Sequence, residues 1–150
     1  MNDEKISTGA LLQRLFKTHS IECFITHYDK QMVSVSFSAY ISRLCAEKGA
    51  APSQIISRSG IERTFGHQLF NGRRTPSRDT VIQLAFGFGM DYERAQNLLK
   101  ISGKSALYPR IRRDAVVIFA LARGFGIAEV QSTLSELSLP LLGKEERRYG

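Results

Sequence analysis

The sequence has few cysteines and no long apolar run, and each shortage excludes a class of protein. Its 150 residues include two cysteines, Cys23 and Cys45, which lie in separate segments without Cys-x-x-Cys spacing. A chain of this length builds a core without disulfides, so we expect free thiols and a reducing, cytoplasmic setting. No apolar run approaches the roughly 20 residues of a membrane span, and the polar start MNDEKISTG has no signal-peptide apolar region. We therefore expect neither export nor membrane insertion.

Sequence signatures of enzymes and of metal sites are also missing. The chain has no Gly-x-Ser-x-Gly segment and no Gly-rich phosphate loop, and its few acids are scattered. His19, Cys23 and His27 recur every four residues and could share a helical face. Three such side chains without a fourth ligand more often pack or face solvent than bind zinc. We expect no enzymatic activity, no cofactor and no metal.

What the sequence does contain is an excess of positive charge. The net charge is +7 and the isoelectric point is about 9.7, while 43% hydrophobic and 23% charged residues are ordinary for a globular protein. Residues 36–76 carry six Lys or Arg against two Asp or Glu, so most of the excess lies in this segment. Such a balance favours a polyanionic partner.

Apolar residues at helical spacing run along the whole chain and predict an all-α fold. The predicted helices cover 8–17, 20–28, 37–48 and 52–59, a helix opened by Glu62 or Thr64, helices after Pro76 and from Asp91, and finally 110–123 and 128–137. We divide the chain into an N-terminal helical segment (1–35), a central domain (36–102), a C-terminal helical hairpin (103–142) and a flexible tail (143–150).

The segment PSQIISRSGIERTFGHQLFNG, residues 52–72, has the spacing of a helix-turn-helix. Two short helices flank a turn at Gly60, and the run Gly72-Arg73-Arg74-Thr75-Pro76 follows. This segment resembles the lambda-repressor-like (XRE/Cro-type) family of DNA-binding proteins. The resemblance implies a five-helix domain over residues 36–102 and a double-stranded DNA-binding protein of the bacterial or phage transcriptional-regulator type. Such a regulator occupies its operator through a recognition helix in the major groove.

The resemblance also assigns residues to two parts of a DNA interface. Bases would be read from the exposed start of the second helix of the motif, because only those side chains reach the floor of the major groove. The residues at those positions are Arg63, Thr64, Phe65 and Gln68, with His67 beside them. Phosphates would be bound by Asn71, Arg73, Arg74 and Arg78. The alternative is a solvated face with Phe65 buried against a neighbouring segment.

Three residues depart from the family pattern. Ile56 stands where a small residue is usual, and Gly66 stands at the facing position, where a large one is usual. We predict that the two residues exchange volume across one contact, which keeps the crossing of the helices unchanged. Ser59 stands where an apolar residue is usual, and the sequence offers no compensating partner for it.

A second basic cluster lies in the segment YPRIRRD, residues 108–114. Arg110, Arg112 and Arg113 stand at the start of a predicted helix, where positive charge opposes the helix dipole. A bound anion, a DNA phosphate or a carboxylate of a partner would offset them, which makes the cluster a candidate second anion site. The alternative is pairing with Asp114 and other local acids.

A short segment recurs in the second half of the chain. LAFGFGM at residues 84–90 returns as LARGFGI at residues 121–127, thirty-seven residues later. Each copy ends one predicted helix at a glycine and starts another. Residues 103–142 are therefore predicted to repeat the preceding helix pair and to stack on it.

Apolar residues on predicted surfaces indicate a homodimer. The first helix carries Leu11, Leu12, Leu15 and Phe16 on one face, and the C-terminal hairpin is rich in leucine. A two-fold dimer through either surface would suit the two half-sites of an operator. The competing interpretation is a helical protein-interaction adaptor or antitoxin-like partner that uses the N-terminal helices or the C-terminal hairpin.

Overall fold

Every regular element in the computed structural model is helical, which confirms the predicted all-α class. The structure describes residues 6–32 and 36–143, and these hold nine α-helices, one short 3₁₀ helix and no strand. The chain divides into two compact units, residues 1–34 and 35–150. Apart from Gly143, the predicted tail lies outside the described residues.

The first unit is a pair of short helices, α1 (Thr8–Lys17) and α2 (Ile21–His27), followed by a 3₁₀ turn (Asp29–Gln31). The hydroxyls of Ser7 and Ser20 accept hydrogen bonds from N–H groups of the first turns, and these caps explain where the helices begin.

The packing of the first unit centres on Phe24, which is 6% exposed. The Tyr28 ring lies 4.8 Å from the Phe24 ring, and Arg14 donates a hydrogen bond of 2.8 Å to the Tyr28 hydroxyl. These contacts leave an apolar surface open to solvent; its large side chains are Leu12, Leu15, Phe16, Ile21 and Ile25.

Seven helices are described in the second unit. They are α3 (Phe37–Lys48), α4 (Pro52–Arg58), α5 (Arg63–Phe70), α6 (Arg78–Gly87), α7 (Tyr92–Ile101), α8 (Arg112–Ala122) and α9 (Ile127–Glu136). Ser36, Ser77 and Asp91 cap three of them through their side-chain oxygens.

α6 lies at the centre of the second unit. Its residues from Thr80 to Gly87 are all buried, and it packs against α4, α7 and α9. A helix that is apolar around most of its circumference suits such a central position. The buried side-chain amide of Gln83 also has a hydrogen-bond partner, because its nitrogen donates to the carbonyl of Ser59 at 3.3 Å.

The contact predicted between Ile56 and Gly66 is confirmed where α4 crosses α5. Ile56 is 2% exposed, and a Cβ placed on Gly66 would lie 2.5 Å from its Cγ2 and 2.8 Å from its Cγ1. Carbon atoms pack at about 3.5–4 Å, so no larger residue fits at this position without a shift. This packing explains why a glycine is kept inside α5 although it costs about 1 kcal/mol relative to alanine.

Ser59, for which the sequence offered no partner, packs on Gly87 of α6. Ser59 is fully buried, and its hydroxyl donates to the Ile55 carbonyl at 2.6 Å. A Cβ placed on Gly87 would lie 3.0 Å from the Ser59 Cβ and 2.8 Å from the Ile55 carbonyl oxygen. The small pair Ser59 and Gly87 therefore lets the end of α4 approach the end of α6 closely.

The internal repeat has a different register from the predicted one. The sequence match is spaced by 37 residues, whereas equivalent structural positions lie 35 residues apart. Left-handed backbone occurs after α6 at Gly89 (φ 68°) and after α8 at Gly124 (φ 71°). It recurs after α7 at Gly103 (φ 73°) and after α9 at Ser138 (φ 57°). The glycine pairs that produced the sequence match are therefore out of structural register.

Contacts between side chains and backbone repeat with the same 35-residue spacing. Gln96 bonds the N–H of Leu107 at 2.8 Å and its carbonyl at 3.0 Å. Gln131 bonds the N–H of Leu142 at 2.8 Å and its carbonyl at 2.9 Å. We refer to residues 78–108 as the first copy and to residues 113–143 as the second copy.

The two copies pack through a reciprocal exchange of ion pairs. Arg78 of the first copy pairs with Asp114 of the second at 2.8 and 3.1 Å, and Arg113 of the second pairs with Asp79 of the first at 2.7 and 2.8 Å. Reciprocal contacts are typical of a two-fold relation, whereas the stacked units of a solenoid meet head to tail. The C-terminal hairpin therefore packs on the preceding helix pair about an approximate two-fold axis.

Candidate nucleic-acid interface

Glu62 directly precedes α5, and its carboxylate caps the helix. The carboxylate accepts hydrogen bonds from the N–H groups of Phe65 at 2.8 Å and Thr64 at 2.9 Å, and these bonds lower the pKa of Glu62. The cap places Arg63 at the first residue of the helix. Because Glu62 already occupies these N–H groups, we do not assign them to a phosphate.

The outward face of α5 carries four of the five predicted base-reading residues. Arg63, Thr64 and His67 are exposed and Gln68 is half-buried. Gly66 and Leu69 lie on the opposite, buried face. Phe65 is half-buried and packs against the core. Part of its ring is therefore buried, as the alternative of a solvated face with a buried Phe65 predicted.

The loop that follows α5 is shaped by its own polar groups. The side-chain oxygen of Asn71 accepts from the N–H of Arg73 at 3.0 Å, and the carbonyl of Gln68 accepts from the N–H of Arg74 at 3.2 Å. Gly72 has a φ of 82°, and a Cβ placed there would lie 3.2 Å from the Ser38 hydroxyl of α3. The loop is thus held against the first turn of α3, with Arg73 and Arg74 exposed.

Three arginines at this surface have no acidic partner in the described part of the chain: Arg63, Arg73 and Arg74. The ion pairs found there join other residues, and the one acid between Arg58 and Asp79 is Glu62, which is bound to backbone N–H groups. The three arginines outnumber the single carboxylate of Glu62 at this surface, and such an excess of positive charge attracts anions from solution.

Arg78, predicted to bind phosphate, is instead engaged inside the protein. Its guanidinium pairs with Asp114 and also donates to the carbonyls of Ser105 and Ala106, each at 3.1 Å. Few of its five N–H groups are left for a further acceptor, so we revise the role of Arg78 from phosphate contact to a link between the two copies.

The three arginines of the second basic cluster have different environments in the structure. Arg113 pairs with Asp79 and donates to the carbonyls of Pro140 and Leu141 at 2.9 and 2.8 Å, so it is paired inside the protein, but with a distant acid and not with Asp114 or another local acid as the alternative had it. Arg110 and Arg112 are exposed, and neither has an acidic partner among residues 6–32 and 36–143. Only these two remain candidates for an external anion.

Residues 6–32 and 36–143 hold no metal-binding cluster and no membrane-spanning helix. No group of three or more His, Cys, Asp or Glu side chains there is arranged to hold a metal ion, and no helix has the length and apolarity to cross a bilayer. Both cysteines are free thiols; burial raises the pKa of Cys45, whereas Cys23 is exposed.

Comparisons with protein-family models, curated proteins and solved structures give no match. The function of this chain is therefore inferred from its residues and contacts alone.

Proposed function

We propose that this protein is a non-catalytic, sequence-specific double-stranded DNA-binding protein. In this proposal it regulates transcription by occupying an operator, and its relatives are the lambda-repressor-like regulators. The observation that carries the proposal is the excess of positive charge on α5 and the loop directly after it, where Arg63, Arg73 and Arg74 are exposed and have no acidic partner among the described residues.

The five helices from α3 to α7 would form the DNA-binding domain, with α5 as the recognition helix in the major groove. Two features support this assignment. α5 exposes polar and basic side chains over its first two turns, and its opposite face is anchored by Gly66 on Ile56 and by the buried Leu69. A recognition helix needs both a free face and a fixed orientation.

Base reading would come from the exposed side chains of α5. Arg63 can donate two hydrogen bonds to the O6 and N7 atoms of guanine, and Gln68 can pair in the same bidentate way with adenine. Thr64 and His67 lie on the same surface. Phe65 serves mainly to hold α5 on the core, with its exposed part available to a thymine methyl group.

Phosphate binding would come from Arg73 and Arg74 on the loop that Asn71 shapes. This loop lies beside the first turn of α3, so the two arginines and the positive end of that helix dipole would act on the same stretch of DNA backbone. Asn71 contributes by fixing the loop, since its oxygen is bound to the N–H of Arg73.

The proposal includes a homodimer and a cytoplasmic setting. A two-fold dimer presents two recognition helices to half-sites one helical turn apart, and the open apolar surface of α1 and α2 is our choice for its interface. Two free thiols are compatible with a reducing compartment.

A titration of a fluorescent random-sequence duplex, followed by anisotropy at 50 and 200 mM salt, tests the proposal. If a dimer neutralises four phosphates through Arg73 and Arg74, affinity should fall about a hundredfold between these salt concentrations. The variant with Arg73→Ala and Arg74→Ala should lose most of this dependence. Arg94→Ala, which removes an exposed arginine from α7, is the matched control and should behave as wild type. Weak binding that does not change with salt would overturn the proposal and would favour the protein-interaction adaptor.

A further inference from the structure

The exposed face of α8 carries a cationic and aromatic surface that the proposed DNA interface does not use. Arg112, Val116, Phe119 and Arg123 follow one another at intervals of four, three and four residues, so they lie on one face of the helix. Both arginines are exposed, Phe119 is 46% exposed although it is a large apolar side chain, and Val116 is half-buried and packs in part against the core. We call these four residues the α8 face.

The α8 face has no negative charge of its own. Between residues 103 and 125 the one acid is Asp114, which is 2% exposed and paired with Arg78. At a rise of 1.5 Å per residue, Arg112 and Arg123 stand about 16 Å apart along α8. The face therefore presents an apolar centre between two positive ends, over the length of a three-turn helix.

The aromatic centre of this face is held in a fixed position. The Arg123 guanidinium lies 4.5 Å from the centre of the Phe119 ring, and Phe125 meets that ring edge to face at 5.9 Å. A base stacks on an open ring face, and Arg123 already lies over one face of Phe119, whereas aliphatic side chains can also pack against the ring edge, so single-stranded nucleic acid is a poorer occupant than a protein. A second copy of the same face is also disfavoured, because a two-fold contact would bring like charges together.

We infer that the α8 face binds an acidic amphipathic helix of a partner protein. Phe119 and Val116 would contact the apolar residues of that helix, and Arg112 and Arg123 would pair with carboxylates near its two ends. Helices recognised in this way place apolar anchors at intervals of three and four residues. The positive charge on the α8 face selects an acidic segment through charge complementarity.

A direct test uses a fluorescein-labelled 18-residue peptide with leucine at positions spaced by three and four and glutamate at the flanking positions. Anisotropy should show saturable binding to the full-length protein at micromolar concentration. The variant with Arg112→Glu and Arg123→Glu should bind this peptide at least about tenfold more weakly and should gain affinity for a matched peptide with lysine in place of glutamate. Phe119→Ala should also weaken binding about tenfold.

Two controls make the test decisive. Arg94→Glu reverses an exposed charge on α7 and should leave peptide binding unchanged, while circular dichroism melts show that each variant is folded. An 18-nucleotide single strand serves as the competing ligand. The inference is overturned if wild type does not bind the acidic peptide, if charge reversal at 112 and 123 has no effect, or if the single strand binds this face more tightly. None of these results bears on duplex binding through α5, so the DNA proposal stands or falls separately.

Discussion

Ile56 covers Gly66 so closely that a Cβ at position 66 would lie 2.5 Å from the Ile56 Cγ2 atom. The two residues form one contact: Ile56 on α4 supplies the large side chain, and Gly66 on α5 leaves the space that this side chain fills. A helix crossing of this kind can be rebuilt with the large and small residues exchanged, and this possibility gives a quantitative test of the motif.

The first prediction is strong energetic coupling between these two residues. Gly66→Ile alone should overpack the crossing and cost on the order of 1–3 kcal/mol of unfolding free energy. Ile56→Ala alone should leave a cavity and cost about 2–5 kcal/mol. In the double variant the cavity left by Ile56→Ala takes up the side chain added by Gly66→Ile, so the two losses of unfolding free energy should largely cancel. Urea unfolding of the four proteins measures the coupling, and strictly additive losses would show that the pair does not act as one contact.

The second prediction concerns the other close approach, at Gly87. Gly87→Ala should destabilise the second unit by about 1–3 kcal/mol, because its Cβ would meet Ser59 and the Ile55 carbonyl, which is backbone and yields little. Gly126→Ala is the matched control: the nearest atom to its Cβ is a carboxylate oxygen at 3.9 Å, and the φ of −86° is ordinary. A loss at Gly126 as large as that at Gly87 would contradict the steric explanation.

The third prediction links Asp79 to stability in acid. Burial alone would raise the pKa of Asp79, but the hydrogen bonds from Arg113 and Gly143 and the charges of Arg113 and Arg78 outweigh it and hold that pKa below its usual value. Because the folded pKa is lowered, the stabilisation is present above the unfolded pKa of about 3.9 and is lost as pH falls through the folded pKa.

Asp79→Asn should therefore reduce the unfolding free energy at pH 7 by on the order of 2–4 kcal/mol, less than for a fully buried pair, since the Asp79 and Arg113 side chains keep 13% and 18% exposure. The difference from wild type should shrink as the pH is lowered from 4 to 2. Asp91→Asn is the control, because asparagine caps a helix as well as aspartate does. Urea unfolding at several pH values gives the answer, and a difference that stays constant with pH would rule out the proposed linkage.

The fourth prediction separates base reading from phosphate binding. Arg63→Ala or Gln68→Ala should cost roughly 1–3 kcal/mol on the specific site and leave binding to random duplex nearly intact. Arg73→Ala and Arg74→Ala should weaken both kinds of binding alike, and each should reduce the salt slope by about one per protomer. Anisotropy titrations on both duplexes distinguish the two roles. An equal loss on both duplexes for Arg63→Ala would remove that residue from base reading.

Local features of the sequence were enough to place the helices to within about two residues. Ser36, Ser77 and Asp91 cap the helices that follow them, and Gly49 ends α3 in left-handed backbone. These interactions join residues close in sequence, so one sequence by itself reveals them. Contact between Ile56 and Gly66 was also predictable, because an unusually large residue and an unusually small one at facing positions of the motif can exchange volume across one contact.

The long-range ion pairs were not predictable in the same way. The acid next to Arg113 in sequence is Asp114, yet Arg113 pairs with Asp79 and Asp114 pairs with Arg78. The signal was an Arg-Asp dipeptide at 78–79 that recurs at 113–114, 35 residues later. It was hidden by a stronger glycine match at a spacing of 37, which aligned glycines of different conformation.

The same long-range pairing limited prediction of the candidate site. Exposure of Arg63, Arg73 and Arg74 follows from helical spacing and from the loop after α5. Whether an arginine is available to DNA also depends on acids elsewhere in the chain. Arg78 pairs with Asp114 and is therefore not available for the phosphate contact that the sequence predicted.

Selection of bound sequences from a pool of random duplexes tests sequence-specific DNA binding through α5. We expect enrichment of a two-fold symmetric site whose half-site centres lie about 10 base pairs apart, and loss of that enrichment in the variant with Arg63→Ala and Gln68→Ala. A pool that shows no enriched motif after repeated rounds, with wild-type protein that remains folded, would contradict it.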